Sequence, residues 1–108
     1  MARYLFEIGI APQVFSTMIK NPHDRAEATQ PMFEALGGKL EEYYFAVGQS
    51  TVYAVAQIPE EVSLEALTMA VLAGGAVTSV KSTAILTAAE AVVAMKKAGD
   101  IVYRPPSS

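Results

Sequence analysis

Few side chains in this sequence are of a type that does acid–base chemistry at neutral pH, and His23 is the only histidine. Its imidazole could act as a general base, because histidine changes charge near neutral pH. A catalytic triad or a metal site would also require partner groups around it. The neighbouring Asp24 would point elsewhere on a helix. After Pro22, at the first turn of a helix, we expect a solvent-facing histidine, so His23 is the lone candidate base and no catalytic residue is assigned.

The other chemical signatures are incomplete. Glu41 and Glu42 suggest paired carboxylates, but neighbours on a strand face opposite ways and cannot share a substrate. The pairs Gly37-Gly38 and Gly74-Gly75 follow predicted helices, whereas a phosphate-binding loop opens a helix. The lack of cysteine in the sequence excludes disulfides, thiolate nucleophiles and cysteine metal sites. The sequence therefore predicts neither a metal site nor a cofactor.

A larger candidate site consists of aromatic, aliphatic and charged residues on strands of a predicted sheet. The residues predicted to line the open face of this sheet are Arg3, Leu5, Glu7, Tyr43, Phe45, Tyr53 and Val55. We favour a subunit interface, because Tyr and Phe are enriched in interfaces and have enough apolar area to explain their presence. The alternative is a ligand pocket between the sheet and a partner, with Arg3, Glu7, Tyr53 or Lys81 as a polar anchor.

The segment Lys39–Ile58, which carries most of these residues, is predicted to be a β-hairpin. Its two apolar, aromatic and β-branched halves are separated by the turn Gly48-Gln49-Ser50-Thr51. Tyr43, Phe45 and Val47 are predicted to share one face of the first strand. Neither strand has a plainly polar face, which is typical of a sheet covered on both sides. The chain's own helices can cover one side, and we expect a partner on the other.

Hydrophobic periodicity predicts the remaining elements around this hairpin. They are a strand over 3–10, helical segments over 14–20 and 22–36, a helix over 60–73, a strand over 76–86 and a helix over 87–98. Asn21 is predicted to cap the second segment, and a Thr87–Glu90 capping box opens the last helix. Two split βαβ units in this order predict an α+β, ferredoxin-like βαββαβ sandwich with an additional C-terminal helix and a four-stranded antiparallel sheet.

The predicted domain spans residues 1–99, and residues 100–108 form a tail. Within the tail, Ile101–Tyr103 could pair at a sheet edge or lie on a neighbouring subunit. Of the 108 residues, 52% are hydrophobic and 18% are charged, which is apolar for so small a domain. This surplus of apolar surface suggests that another subunit covers part of it, so we expect a homo-oligomer.

Charge and hydropathy exclude several kinds of partner. The net charge is −3, and the 8 Lys and Arg residues are scattered, which argues against nucleic acid. Arg3 and Glu7 interrupt the N-terminal segment, so it lacks the apolar core of a signal peptide. The longest uncharged run, Tyr43–Pro59, contains the hairpin turn and is not a membrane span. We expect a soluble, cytoplasmic protein.

Four stretches and the ending of the chain share their order and spacing with a known family. They are Asn21–Arg25, Glu34–Leu40, Tyr44–Gly48, Lys81–Thr87, and the ending from Ala98-Gly99 to Pro105-Pro106. In these stretches the chain resembles the GYD-domain family of small, mostly bacterial and archaeal proteins. The resemblance implies a ferredoxin-like fold and no established reaction.

The turn departs from the pattern that names this family. The resemblance implies a Gly-Tyr-Asp element at the hairpin turn, where Gly48 is present but Ser50 and Thr51 stand at the aromatic and aspartate positions. A family function that needs that phenol or carboxylate would lack it here. We interpret Gly48 as a backbone position that requires a positive φ, rather than as a ligand contact.

Three hypotheses fit these observations. The leading one is a non-enzymatic, oligomeric ferredoxin-like protein that assembles through its sheet face, with a small apolar ligand as a further candidate partner there. The first alternative, by analogy of fold, is a cofactor-free dimeric α+β barrel enzyme on a small apolar or aromatic substrate, with His23, Tyr53 or Arg3 in a closed pocket. The second alternative is a structural assembly unit with the segment Ile101–Pro106 as its connector.

Overall fold

Four strands and four helices make up residues 1–107, which are described by a computed structural model. The elements are β1 (Ala2–Ile10), α1 (Val14–Lys20), α2 (Arg25–Ala35), β2 (Lys39–Phe45), β3 (Thr51–Ile58), α3 (Glu61–Ala73), β4 (Val77–Ile85) and α4 (Ala88–Ala98). Their order matches the sequence prediction. Ser108, the last residue of the predicted tail, lies outside the described residues.

The four strands form one antiparallel sheet in the order β2-β3-β1-β4. The central strand β1 pairs with β3 on one side and with β4 on the other. This order, with helices between the strands, is the ferredoxin-like α+β architecture and confirms the predicted fold.

The core lies between one face of the sheet and the helices. The alternation of β1 places Tyr4 and Phe6 on that face, and Phe6 is almost completely buried. Phe33 of α2 meets Phe6 edge-on with 6.2 Å between ring centroids, and Leu67 of α3 joins the same cluster. Burial of an apolar side chain of this size contributes about 1.5–3 kcal/mol, so these residues hold the helices on the sheet.

The start of α2 differs from the prediction. Asp24 caps the helix, and its carboxylate accepts hydrogen bonds from the backbone N–H of Ala26 at 2.8 Å and of Glu27 at 3.3 Å. Asn21 instead ends α1, where its N–H donates to the Thr17 carbonyl. The predicted cap at Asn21 is therefore wrong, because a carboxylate three residues later satisfies two free N–H groups of the first turn.

A β-bulge in β2 reverses the predicted faces of the hairpin. Leu40 pairs with Ala56, but the next pair is Glu42 with Val55, so Glu41 is an extra residue in β2. Every side chain of β2 after the extra residue therefore points to the side of the sheet opposite to the predicted one. As a result, Tyr43 and Phe45 lie on the helix side of the sheet, opposite Ala54 and Val52.

The predicted placement of Tyr43 and Phe45 on the open face with Tyr53 and Val55 is therefore wrong. Tyr44 takes their place there and pairs with Tyr53. Glu41, the extra residue of the bulge, has polar contacts with two other strands. Its carboxylate accepts hydrogen bonds from Arg3 Nε at 2.6 Å and from Gln57 Nε2 at 3.1 Å, both of them on the open side of the sheet.

The last helix, α4, has the predicted capping box but leaves the body of the domain. The Glu90 N–H donates to Thr87 Oγ1 at 3.1 Å, and the Thr87 N–H donates to Glu90 Oε1 at 2.9 Å. All α4 residues except the half-buried Ala91 are exposed, and residues 101–107 follow as an exposed segment without regular structure.

The molecule is elongated as a consequence. It measures 59 × 35 × 24 Å, and its radius of gyration is 17.7 Å, against about 13 Å for a compact domain of this size. Within residues 1–107, no helix combines the length and hydrophobicity needed to cross a membrane.

Candidate functional site

The open face of the sheet, which we define as the side turned away from α2 and α3, brings together six of the predicted site residues. Leu5 pairs with Val55, and Glu7 lies between Tyr53 on β3 and Lys81 on β4. Arg3 occupies the end of β1 where β4 leads into α4. The open face therefore contains six of the eight residues predicted for it and lacks Tyr43 and Phe45.

Several residues of the open face were not predicted, among them Glu41, Tyr44 and Gln57. Gln57 could have been found from sequence, because it alternates with the buried Ala56 and Ile58. Glu41 and Tyr44 could not, because their direction depends on the bulge. The bulge also makes Glu41 and Glu42 line the same groove, so the expectation that they face opposite sides is wrong.

An ion-pair network occupies the end of the open face nearest α4. Arg3 binds both carboxylate oxygens of Glu41, with Nε–Oε1 at 2.6 Å and Nη2–Oε2 at 3.3 Å. Arg3 Nη1 also reaches Glu90 Oε1 of α4 at 3.5 Å. The hydrogen bond from Arg3, supported by one from Gln57, lowers the pKa of Glu41, and Glu41 in turn raises the pKa of Arg3. The network fixes the side chains in charged form and joins α4 to the sheet.

A second polar pair lies at the middle of the open face. The Tyr53 hydroxyl donates to Glu7 Oε1 at 3.0 Å. This hydrogen bond stabilises the protonated phenol and raises the pKa of Tyr53. Tyr53 is thus held as a donor to its own chain, which makes it a poor general base.

The apolar residues of the open face lie among these paired polar groups. Leu5 is 38% exposed and Tyr44 is 57% exposed, and Val55 and Ile85 are half-buried beside them. Apolar patches surrounded by polar groups that already have partners are typical of protein interfaces. The open face therefore combines partly exposed apolar side chains with polar groups that are paired within the chain.

His23 lies away from the open face, in the segment that leads into α2, and it is exposed as predicted. Its Nδ1 is 2.7 Å from the Asn21 carbonyl oxygen, and its Nε2 is 3.1 Å from Arg25 Nη1. Both contacts are satisfied together when Nδ1 carries the proton and Nε2 accepts from Arg25. Tyr53 and Arg3 lie on the opposite side of the sheet, so the three residues named for an enzyme do not share one pocket.

The hairpin turn is a backbone feature. Gly48 has φ of +76°, which confirms the predicted positive φ, and a Cβ there would meet no atom of the described residues within 4 Å. The Ser50 carbonyl accepts a hydrogen bond from the Ile10 N–H at 2.9 Å, and Thr51 begins β3. Gln49 is exposed at the tip, where its N–H donates to the Ala46 carbonyl.

No group of three or more His, Asp or Glu residues within residues 1–107 is placed to hold a metal ion. The carboxylates of Glu41 and Glu90 accept hydrogen bonds from Arg3 and from the Thr87 N–H of the α4 cap.

Comparison with known proteins agrees with the resemblance seen in the sequence. The family model of the GYD domain matches residues 4–97, from β1 into α4, which is most of the chain. Searches among curated proteins and among solved structures each returned no match. The matched range includes β1 from Tyr4 onward, the other three strands, the turn at Gly48–Thr51 and the Thr87–Glu90 cap. On this evidence the chain belongs to the GYD-domain family.

Proposed function

We propose that this protein is a non-enzymatic, self-assembling protein whose open face is the assembly surface, with α4 of one copy lying against the second copy. The observation that carries the proposal is the position of α4. The helix starts beside the open face, where Glu90 contacts Arg3, and then leaves its own domain.

The apolar side of α4 supports this proposal. Ala88, Ala91, Val92 and Met95 follow helical spacing and form one stripe, while Lys96, Lys97 and Glu90 lie off it. Val92 is 45% exposed and Met95 is 67% exposed. An apolar stripe that is largely exposed to water favours burial against another surface.

The open face of a second copy is complementary to this helix in character and charge. Leu5, Tyr44 and Val55 offer apolar area, and Glu42 lies at its rim. Within the described residues, Lys96 and Lys97 form no salt bridge with a carboxylate of their own chain. In a two-fold arrangement each copy supplies both the helix and the face, so every such contact occurs twice.

Light scattering coupled to size exclusion, over a concentration series, tests the proposal. We expect a dimer at micromolar concentration for the wild-type protein. Leu5→Glu on the open face and Met95→Glu on α4 should each shift the protein to monomer, because a buried carboxylate without a partner is costly.

Val47→Glu is the matched control. Val47 is 98% exposed at the hairpin turn, at the end of the sheet far from α4. This variant introduces the same charge and should leave the dimer intact. A monomeric wild-type protein, or unchanged assembly of both Leu5→Glu and Met95→Glu, would overturn the proposal.

A further inference from the structure

A cavity of about 370 Å³ lies on the other side of the sheet, between its helix face and the helices α1, α2 and α3. We call it the inner cavity. Most of its wall is apolar and includes Phe6, Ile8, Val14, Met18, Met32 and Val71. Its volume falls within the range of about 300–1,000 Å³ that is typical of small-molecule sites.

Arg25 brings a cation to this apolar wall. It is the first residue of α2 and one of the residues that line the inner cavity. Nη1 donates to His23 Nε2 at 3.1 Å. Within residues 1–107, the buried Nε has no hydrogen-bond partner, and no carboxylate forms a salt bridge with the guanidinium. A buried guanidinium N–H without an acceptor is unusual, because buried polar groups are normally paired.

Tyr43 supplies a second donor at the same wall. The bulge at Glu41 turns Tyr43 to the helix side, where it lines the inner cavity with Arg25. Burial raises the pKa of the Tyr43 phenol, an effect that the nearby guanidinium partly offsets, so the phenol stays protonated at neutral pH. Thr29, the other polar residue of the wall, already donates to the Arg25 carbonyl at 2.8 Å.

We propose that the inner cavity binds a small monocarboxylate with an apolar body, whose carboxylate accepts hydrogen bonds from Arg25 and Tyr43. A planar guanidinium suits a carboxylate, and the apolar wall suits an alkyl or aromatic body. One cation favours a singly charged group over a phosphate ester. The site does not depend on assembly through the open face, because the two surfaces lie on opposite sides of the sheet.

Calorimetric titration with octanoate and with the neutral octanol tests this assignment on the full-length protein. We expect octanoate to bind at least about tenfold more tightly than octanol, because only the carboxylate provides an anionic acceptor. Arg25→Met should abolish this preference while octanol binding persists. Arg104→Met, which removes an exposed arginine of the tail, is the matched control and should keep it.

Methionine methyl resonances locate the ligand. Met18 and Met32 line the inner cavity, whereas Met69 and Met95 are exposed elsewhere. Octanoate should shift the first two signals and leave the other two unchanged, and Met95 reports separately on assembly. Ala54→Leu places added volume in the cavity from a buried position and should weaken both ligands.

Three results would overturn the proposal. They are no binding of octanoate at millimolar concentration, equal binding of octanoate and octanol to the wild-type protein, and shifts confined to Met69 and Met95. If Arg25→Met does not fold, Arg25→Lys replaces it. Lysine keeps the positive charge but lacks the planar set of donors. The ratio of octanoate affinity to octanol affinity in Arg25→Lys should therefore fall between the wild-type ratio and one.

Discussion

Glu41 is a single residue on which both faces of the sheet depend. Its carboxylate is bound by Arg3 of β1 and Gln57 of β3, so the extra residue of β2 is tied to two neighbouring strands. The bulge that it creates removes Tyr43 from the open face and adds Tyr44. The bulge thereby changes the composition of the open face on one side of the sheet and of the inner cavity on the other.

The Glu41 pair predicts a specific dependence of stability on pH. Hydrogen bonding to Arg3 holds the folded-state pKa of Glu41 below the ordinary value of 4.5. A group whose pKa is lowered on folding stabilises the protein above its unfolded pKa, and this contribution is lost as pH falls through the folded pKa. We therefore expect Glu41→Gln to lower the free energy of unfolding at neutral pH, and the difference from wild type to narrow below about pH 5.

Urea unfolding followed by circular dichroism at a series of pH values measures this difference. Glu65→Gln is the control, because Glu65 is exposed on α3 and forms no salt bridge within the described residues. The free energy of unfolding of Glu65→Gln should differ little from that of the wild type, and this difference should not depend on pH. A Glu41→Gln difference that stays constant or widens on acidification would contradict the expected coupling.

Some of these residue roles follow from sequence and others do not. Exposure of His23 and the positive φ of Gly48 were predicted correctly, because each depends on the local chain. The direction of Tyr43 and Phe45 was predicted wrongly, because it depends on Glu41 contacting two strands that are distant in sequence. Alternation alone contains no signal for a bulge.

At the scale of elements, one of the two capped helices packs against the core and the other does not. Asp24 caps α2, whose Phe33 is buried against the sheet. Thr87 caps α4, which is exposed except at the half-buried Ala91. Sequence patterns identified both helices, but the apolar stripe of α4 could not show that the helix lies outside the core of its own domain.

This contrast predicts different consequences for loss of the two caps. Asp24→Ala should lower the free energy of unfolding by about 1 kcal/mol, because the cap is lost from a helix that is part of the core. Thr87→Ala should reduce the helical circular dichroism signal. It should lower the free energy of unfolding of a monomeric sample far less than Asp24→Ala does. Unfolding is followed by tyrosine fluorescence at a concentration where the protein is monomeric.

Asp100→Ala serves as the control for loss of an exposed carboxylate after α4, and should leave both signals unchanged. Equal losses of unfolding free energy in Asp24→Ala and Thr87→Ala would mean that α4 packs on its own domain, contrary to the structure described here.

At the scale of the whole molecule, the elongated shape leaves α4 without packing against the core of its own chain. The sheet and α2 and α3 form a packed unit, whereas α4 and residues 101–107 are exposed outside it, and the longest dimension is 59 Å. The sequence predicted the order of elements and the surplus of apolar residues. The inner cavity could not be predicted from the sequence, because the volume of the cavity depends on how side chains from three helices pack on the sheet.

Hydrogen exchange tests whether a second copy stabilises α4. An isolated helix shorter than about 12–15 residues is marginal in water, and α4 has 11 residues. In a monomer its amides should therefore exchange quickly, and in the proposed assembly they should be protected. We expect protection in α4 to fall on dilution, while the central strand β1 stays protected by β3 and β4 at every concentration.

Met95→Glu separates assembly from intrinsic helix stability. In this variant α4 should exchange quickly at all concentrations, and β1 should exchange as in the wild type, because Met95 does not contribute to the core. Protection of α4 that is independent of both concentration and this substitution would mean that the helix is stable within one chain. The exposed stripe would then need no second copy, and assembly through the open face would lose its physical reason.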